Sequence, residues 1–503
     1  PWPHAAMAAV AARKLNRPVK LSVTRRMMFS NVGYRPRTQQ HVKLGATKEG
    51  KLLALRHDYL NNTSMLDDFD EGCAGASTSI YSVANLEVTG AQPRRNMGAP
   101  MWMRGPGAVP GLYALESAMN ELADELRMDP LQLRILNDTD KDESNNNIPF
   151  SSRHLRECFE VGAKKFGWDR RNPAVGSMRS DGRILGWGMG AAMWDAVRLP
   201  CSATVEFCAD GRLCVRCGTQ DIGTGTYTIF AQVLHEKTGI PLDRIDVILG
   251  DSSLPDGPMS GGSMVTGSVL NAIASGTDAA IKRLQQVATS TEGSPYHGVK
   301  AEDISFTAGR LHRSDQDHAE GAHFADILSA AKLARVSGDG KTVPTWEDPK
   351  SKGYSLHSFG AQFVEVEWDP EIARLRVSRV VSVIDGGRII NPKAAANQVS
   401  GAVVMGIGMG MLEETIYDHR TGQPINGSMA DYLMATCADA PDIDVTFLDH
   451  PDLIMSEFGA RGIAEIGLAG VAPAITAAVY HATGVRVRDL PVRIEDLLQS
   501  KVV

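Results

Sequence analysis

The chain has 503 residues, 43% of them apolar and 22% charged, with a formal net charge of −7 from 52 basic and 59 acidic side chains. That length exceeds one ordinary core and predicts two or more domains, while the acidic balance gives no electrostatic reason to expect nucleic acid or an anionic membrane surface. Seven scattered cysteines predict a reducing compartment without a disulfide framework, and the sequence reads as free of a bilayer-spanning run and of a signal peptide.

Residues 1–15 read as an Ala-rich helix ending in Arg13 and Lys14, and a chain that opens inside a helix leads one to expect more sequence upstream. Strands are expected at 19–23, 40–44 and 52–59, with Arg25, Arg26 and Arg35 on the intervening loop forming a solvated basic face. A strand at 83–88 leads into a loop dense in Gly and Pro over 94–111. The stripe Leu115, Met119, Leu122 and Leu126 predicts an amphipathic helix over 113–126. Asp129 and Pro130 then supply the N-cap and first position of another helix. The polar, Asn-rich run 137–152 is the expected boundary, dividing the chain into residues 1–150 and 151–503.

A helix at 155–166 and a Gly/Ala-rich strand at 184–194 follow, then a hairpin of 204–207 and 213–217 about the Asp210–Gly211 turn. Cys214 and Cys217 have CxxC spacing inside that hairpin, with no second pair to complete a zinc or iron–sulfur site, and read as structural thiols. Helices are expected at 227–237 and 269–284, and a strand at 246–249. Residues 290–350 look polar and irregular apart from a short helix near 324–334. A long hairpin, 362–367 and 375–384, leads through a loop over 385–398 to a Gly-rich helix at 399–411. An apolar helix at 471–483 follows the last Gly-rich run, and no short repeat suggests a solenoid or propeller.

Four Gly-rich loops, within 94–111, 218–225, 257–267 and 459–470, each precede a helix. Helix N-termini with approachable N–H groups bind anions, so four of them predict a large, multi-anionic ligand gripped from several sides. No GxxxxGK[ST] is present, and Gly186, Gly188 and Gly190 are too closely spaced for a dinucleotide fingerprint. Within Gly459–Gly470 the single acid is Glu465. Among Gly, Ala, Ile and Leu it should lose water, which raises its proton affinity toward that of a useful base; the alternative is a charge favoured by the helix macrodipole. His4, His41, His154 and His481 are isolated, which argues against a zinc enzyme. Glu116 reads either as a pocket group or as a helix-surface acid, and the methionines of 403–411 as core.

The Arg461-Gly462-Ile463-Ala464-Glu465 run, the apolar helix after it and Val487-Arg488-Asp489-Leu490-Pro491 resemble the C-terminal end of the molybdenum hydroxylases, the xanthine dehydrogenase and aldehyde oxidase family. Further motifs match in family order. Met103-Arg104-Gly105-Pro106-Gly107 resembles the loop whose arginine reaches the metal's ligands. Gly218, Gln220, Asp221, Ile222, Gly223 and Thr224 lie in what looks like the loop holding the pterin and its phosphates. Gly261, Gly262 and Ser263 look like a backbone contact to the cofactor, and Gln398 like a residue near the pterin.

The resemblance implies an α+β protein of two large mixed domains with the cofactor between them. It implies molybdopterin, with molybdenum held by the pterin dithiolene and no protein side chain as metal ligand. Glu465 would be the catalytic base and Arg104 its cationic neighbour, with Gly105, Arg461 and Gly462 beside the cofactor. The implied activity is oxidation of an aldehyde to a carboxylate with water as oxygen donor, by one subunit of a heterotrimer whose [2Fe–2S] and FAD sit on partner chains. Glu465-Ile466-Gly467 and the Arg-x-Pro-Gly loop are most similar to bacterial aldehyde oxidoreductases whose pterin carries a cytosine nucleotide. N-heterocycles or purines are the alternative substrates, and a cofactor-free assembly module is the non-enzymatic alternative. The expected compartment is the cytoplasm, or the periplasm if the chain is exported with a partner. The sequence departs from the family at Ala464, where glycine is usual, and at Ala108, where Glu is common. It also begins just after the family's Gly-Gly-Phe-Gly segment, so the resemblance implies that about a third of a typical large subunit lies upstream.

Overall fold

The computed structural model describes residues 2–500 and 502. Its largest sheet is built on the hairpin His357–Asp369 and Arg374–Asp385, which is antiparallel throughout its register. Arg183–Asp195 pairs antiparallel with the first arm, Met178–Ser180 extends that edge, and Asp442–Phe447 runs parallel to the second arm. The strand Arg183–Asp195 is buried over almost its whole length, and its three alternate glycines share one face because side chains repeat every second residue. The helix Val471–Thr483 lies directly on them. A Cβ at Gly186 would stand 1.9 Å from the Ala478 carbonyl oxygen, and one at Gly188 would stand 2.2 Å from that of Ala474. The closely spaced glycines are therefore a groove for a helix, and that groove fixes where the preceding Glu465 turn must sit.

A second sheet, in the order Ile245–Leu249, Leu213–Cys217, Cys201–Cys208, Arg335–Thr342, is covered by the helices Thr226–Thr238 and Val265–Ser290. Arg335–Thr342 falls within the stretch expected to be irregular. Its outward residues are polar, and its inward Gly338 and Gly340 exist because Val265–Ser290 presses on them: a Cβ at Gly340 would lie 1.9 Å from the Ala272 carbonyl oxygen. A third sheet, Thr38–Ala46, Leu52–Asn61 and Asn85–Ala91, packs against the helix Ala108–Glu125. The largest apolar cluster draws Leu52, Leu115 and Met119 together with Phe159, Trp187, Phe363 and Ile466, so it joins both sides of residue 150. A separate cluster lies under the second sheet.

Several expectations are corrected. Residues 19–23 pair with no strand and run into the short helix Arg25–Asn31, which Thr24 caps through Met27 N–H. The segment after 385 becomes helical at Pro392, capped by Asn391, so Gln398 lies on the helix Pro392–Met411 and not in a loop. Ile466–Thr483 is, by length and composition, apolar enough to cross a membrane, contrary to the sequence reading; 89% of it is buried inside the protein, where the glycine groove accounts for its character. Glu116 is not a surface acid but is 0% exposed, accepting from Tyr81 Oη (2.6 Å), Arg134 Nε (2.8 Å) and Ala191 N (2.6 Å). His154 is not isolated: it stacks on His450 with ring centres 3.5 Å apart. Cys214 and Cys217 are buried free thiols in the strand, and Asp129 caps Pro130–Leu136 through Leu131 and Gln132 N–H, both as the sequence indicates.

Candidate active site

Glu465 stands at the N-cap of the short helix Ile466–Ala469, where the Gly-rich run turns onto the glycine groove. It is 8% exposed. Gly105 N–H donates to Oε1 at 3.2 Å, and Ser263 Oγ donates to Oε2 at 2.9 Å. Burial raises its proton affinity above the ordinary carboxylate value, while Gly105, Ser263, Arg104 and Arg35 act in the opposite sense. The outcome is a desolvated carboxylate with one hydrogen bond at each oxygen and acceptor capacity left over, the combination expected of a general base.

Three chain segments meet at this acid. Arg104 donates from Nε to the Ala464 carbonyl at 2.7 Å and from Nη2 to the Gln398 carbonyl at 2.9 Å, tying the Arg104–Gly107 turn to the Glu465 turn and to the helix Pro392–Met411. Gly262 and Ser263 both adopt left-handed backbone, φ +62° and +58°, which aims the Ser263 hydroxyl at Glu465 just before the helix Val265–Ser290. Trp194 Nε1 holds the Gly262 carbonyl at 3.0 Å. Gly462 closes the contact from the other side: a Cβ there would lie 2.1 Å from the Ser263 carbonyl oxygen.

The loop before Thr226–Thr238 is joined to the site through a neighbour. Gln220 Oε1 accepts from Ser260 N at 3.2 Å, and the Ser260 hydroxyl donates to the Gln220 carbonyl. Gly218 N–H is bonded to the Pro255 carbonyl at 2.7 Å. Asp221 organises the loop from within, Oδ1 accepting from Gly223 N at 2.7 Å and Thr224 N at 3.0 Å, and Oδ2 from Tyr227 N at 3.4 Å. An ionised carboxylate only accepts hydrogen bonds, so Asp221 shapes the loop rather than donating to a phosphate. Ile222 is 68% exposed, and a Cβ at Gly223 or Gly261 would meet nothing within 4 Å.

Arg461, adjacent to Gly462 in the motif, has its side chain turned inward and fully buried. It donates to the Ser152 carbonyl at 2.7 Å and is paired with the buried Asp385. Its side chain holds the loop in place, and only its backbone lies toward the site. Sequence reasoning missed two residues. Arg35, expected on a solvated face, has a 21% exposed side chain whose Nη1 pairs with the fully buried Glu71 at 2.9 Å and whose Nη2 donates to the Arg104 carbonyl. Nothing local marks either residue, since 36 positions separate them.

Open space at Gly223 and Gly261, two linked Gly-rich loops ahead of helices, and a polar-lined acid at their meeting point fit a large pterin-type ligand, with the loops for its anionic part and Glu465 and Arg104 at its reactive end. The chain belongs to the molybdopterin cofactor-binding family of the aldehyde oxidoreductase and xanthine dehydrogenase type. Residues 1–138 match one molybdopterin cofactor-binding domain and residues 161–441 another.

Among individual relatives, the chain is similar to the aldehyde oxidoreductase molybdenum-binding subunit PaoC of Escherichia coli K12, 36% identical over 496 residues that cover 99% of this chain and 65% of that subunit. It is 26% identical over 514 residues to the putative xanthine dehydrogenase molybdenum-binding subunit XdhA of the same strain, covering 98% of this chain and 66% of XdhA. The chain thus spans about two thirds of the length of the curated relatives it matches. In fold it is similar to quinoline 2-oxidoreductase from Pseudomonas putida 86, with a TM-score of 0.84 at 21% identity over 99% of this chain and 66% of that one. The aldehyde oxidoreductase of Desulfovibrio gigas gives a TM-score of 0.79 at 24% identity over 98% of this chain and 52% of that one.

Proposed function

We propose that this chain is the molybdopterin-binding catalytic part of an aldehyde oxidoreductase, with Glu465 as general base and Arg104 as the cation beside it. The observation that carries the reading is the buried Glu465 carboxylate, held at both oxygens by Gly105 N–H and Ser263 Oγ. When bound, the molybdenum–pterin group supplies the redox centre that takes up two electrons and the site at which water-derived oxygen is delivered. Glu465 removes a proton from the oxygen nucleophile, favoured because burial raises its proton affinity. Arg104 spends Nε and Nη2 on carbonyls, which leaves Nη1 to stabilise charge on a substrate oxygen. The Ser260–Ser263 and Gly218–Thr224 loops hold the pterin and its phosphates through backbone N–H groups other than those of Gly218, Gly223, Thr224, Ser260 and Gly261, which are bonded within the protein.

Aldehydes are favoured over purines because the 36% identity to PaoC exceeds the 26% to XdhA. The finer assignments are a cytosine-dinucleotide pterin, partner subunits carrying [2Fe–2S] and FAD, and a cytoplasmic or partner-assisted periplasmic location. The proposed domains are residues 1–150 and 151–503. The test is Glu465→Gln in the full-length, assembled enzyme: molybdenum and pterin content stay at the wild-type level while kcat falls about 10²–10⁴-fold. Ordinary turnover in that variant would remove Glu465 as the base.

A further inference from the structure

Gly105 is the only backbone donor to the Glu465 carboxylate among the described residues, and within its turn only the Arg104 side chain, bonded to the Ala464 and Gln398 carbonyls, anchors it. The carbonyl of that same Arg104–Gly105 peptide and the Gly107 N–H two peptides further on are also held, by one ion pair whose carboxylate is fully buried. Glu71 Oε1 accepts from Gly107 N at 3.2 Å and from Arg35 Nη1 at 2.9 Å, and Arg35 Nη2 donates to the Arg104 carbonyl. The turn lies tight on the segment carrying Glu71, since a Cβ at Gly107 would be 2.7 Å from the Glu71 carbonyl oxygen. Glu71 is fixed in turn by its own N–H on Asn61 Oδ1 at 3.2 Å. We infer that Arg35 and Glu71 are positioning residues for Glu465, clamping the Arg104–Gly107 turn so that Gly105 N–H stays on the acid; this rests on the reading of Glu465 as the base.

Stability alone is a weak reason for such a pair, because buried ion pairs are often replaceable by apolar groups without loss. A guanidinium suits this role because its planar fork serves a carboxylate and a carbonyl at once, which a lysine ammonium on a flexible stem does less well. The charged groups facing Glu465 are Arg104 and Arg35, both of which favour its ionised form, with Glu71 behind Arg35.

The geometry gives a test whose sign separates positioning from bare electrostatics. Removing the Glu71 charge by itself leaves Arg35 less neutralised and would lower the proton affinity of Glu465. Freeing the turn removes the Gly105 N–H bond and raises it. Full-length subunit from a molybdopterin-deficient host, labelled with ¹³C at glutamate carboxyls, reports this without catalysis, the Glu465 resonance being assigned by its loss in Glu465→Gln. Glu71→Leu, which removes the acceptor that Gln would keep, is expected to move the Glu465 titration to higher pH. In the assembled enzyme the acid limb of kcat should move with it, lowering the rate at the acidic end about tenfold while the plateau stays within about threefold. Arg35→Lys keeps the charge but loses the fork, so it should shift the titration in the same direction, and it carries the test if Glu71→Leu does not fold. A downward or absent shift, or a lowered melting temperature with an unmoved titration, would overturn the inference. Full turnover in Glu465→Gln would instead overturn the base assignment, with the carboxyl titration still deciding whether the clamp exists.

Discussion

The chemistry of the site depends on contacts between residues too small to be ambiguous. Ser263 both donates to Glu465 Oε2 and accepts from Glu465 N at 3.2 Å, so one hydroxyl fixes the acid's side chain and backbone together. Gly462 makes that possible by leaving room for the Ser263 peptide. Gly462→Ala should therefore push Ser263 away, costing about 1–3 kcal/mol as overpacking does and lowering molybdenum content. A thermal melt with metal analysis checks it, and an unchanged melting temperature would show the loops to be looser than the structure indicates. At Gly223 the space is open, and a substitution there meets only the strain of φ +100°.

At the scale of the element, the Val471–Thr483 helix on its glycine groove carries His481 into the core. His481 Nδ1 accepts from Trp187 N at 2.9 Å and Nε2 meets the Asn172 carbonyl at 2.6 Å, which defines a neutral ring protonated at Nε2. Burial lowers its pKa to about 4 from the ordinary 6.5. The unfolded chain therefore takes up a proton before the folded one does. The stabilising contribution of the neutral ring is complete above pH 6.5 and is lost as the pH falls toward 4, a swing of about 3 kcal/mol. His57, lowered to about 4 by burial, adds to the same slope. Urea midpoints measured from pH 7 to pH 4 should fall less steeply in His481→Gln than in wild type; parallel curves would exclude His481 as a source of acid sensitivity.

Across the whole molecule, Arg461 is the tie between the Glu465 turn and the sheet. Its fully buried guanidinium reaches Asp385 at the end of Arg374–Asp385, the carbonyls of Ser152 and His357, and lies 3.9 Å from Asp452. Asp385 also accepts from His154 N at 3.0 Å, and Asp452 from Ser151 Oγ at 2.6 Å. Removing the cation would leave two carboxylates buried without it. Arg461→Met is expected to cost about 3–5 kcal/mol, read as a lowered denaturation midpoint. A midpoint equal to wild type would mean that water reaches this network and that the loop is held by other contacts.

Signals that act within a few residues were legible before any fold was known. Asp210–Gly211 set its hairpin, Asp129–Pro130 its helix start, and apolar spacing the helix at 471–483 and all but the first turn of the one at 108–125, expected over 113–126, because turn, cap and stripe each depend on near neighbours. Glu465 was legible for the same reason, as a lone acid in a run of small residues entering a helix. What only tertiary structure decided were the encounters between distant segments. Gly186, Gly188 and Gly190 read as a failed fingerprint until a helix lay on them, and Gly338 and Gly340 hid a strand because their partner was a helix backbone. Arg35 looked like a surface charge and Glu116 read equally as a pocket group or a surface acid, since a charge announces its burial only through the partner it meets, Glu71 in one case and Arg134 in the other. Composition and local pattern determine which elements form and which side chains can do chemistry; which backbone approaches closely enough to exclude a Cβ, and which charge loses its water, are properties of the assembled layers.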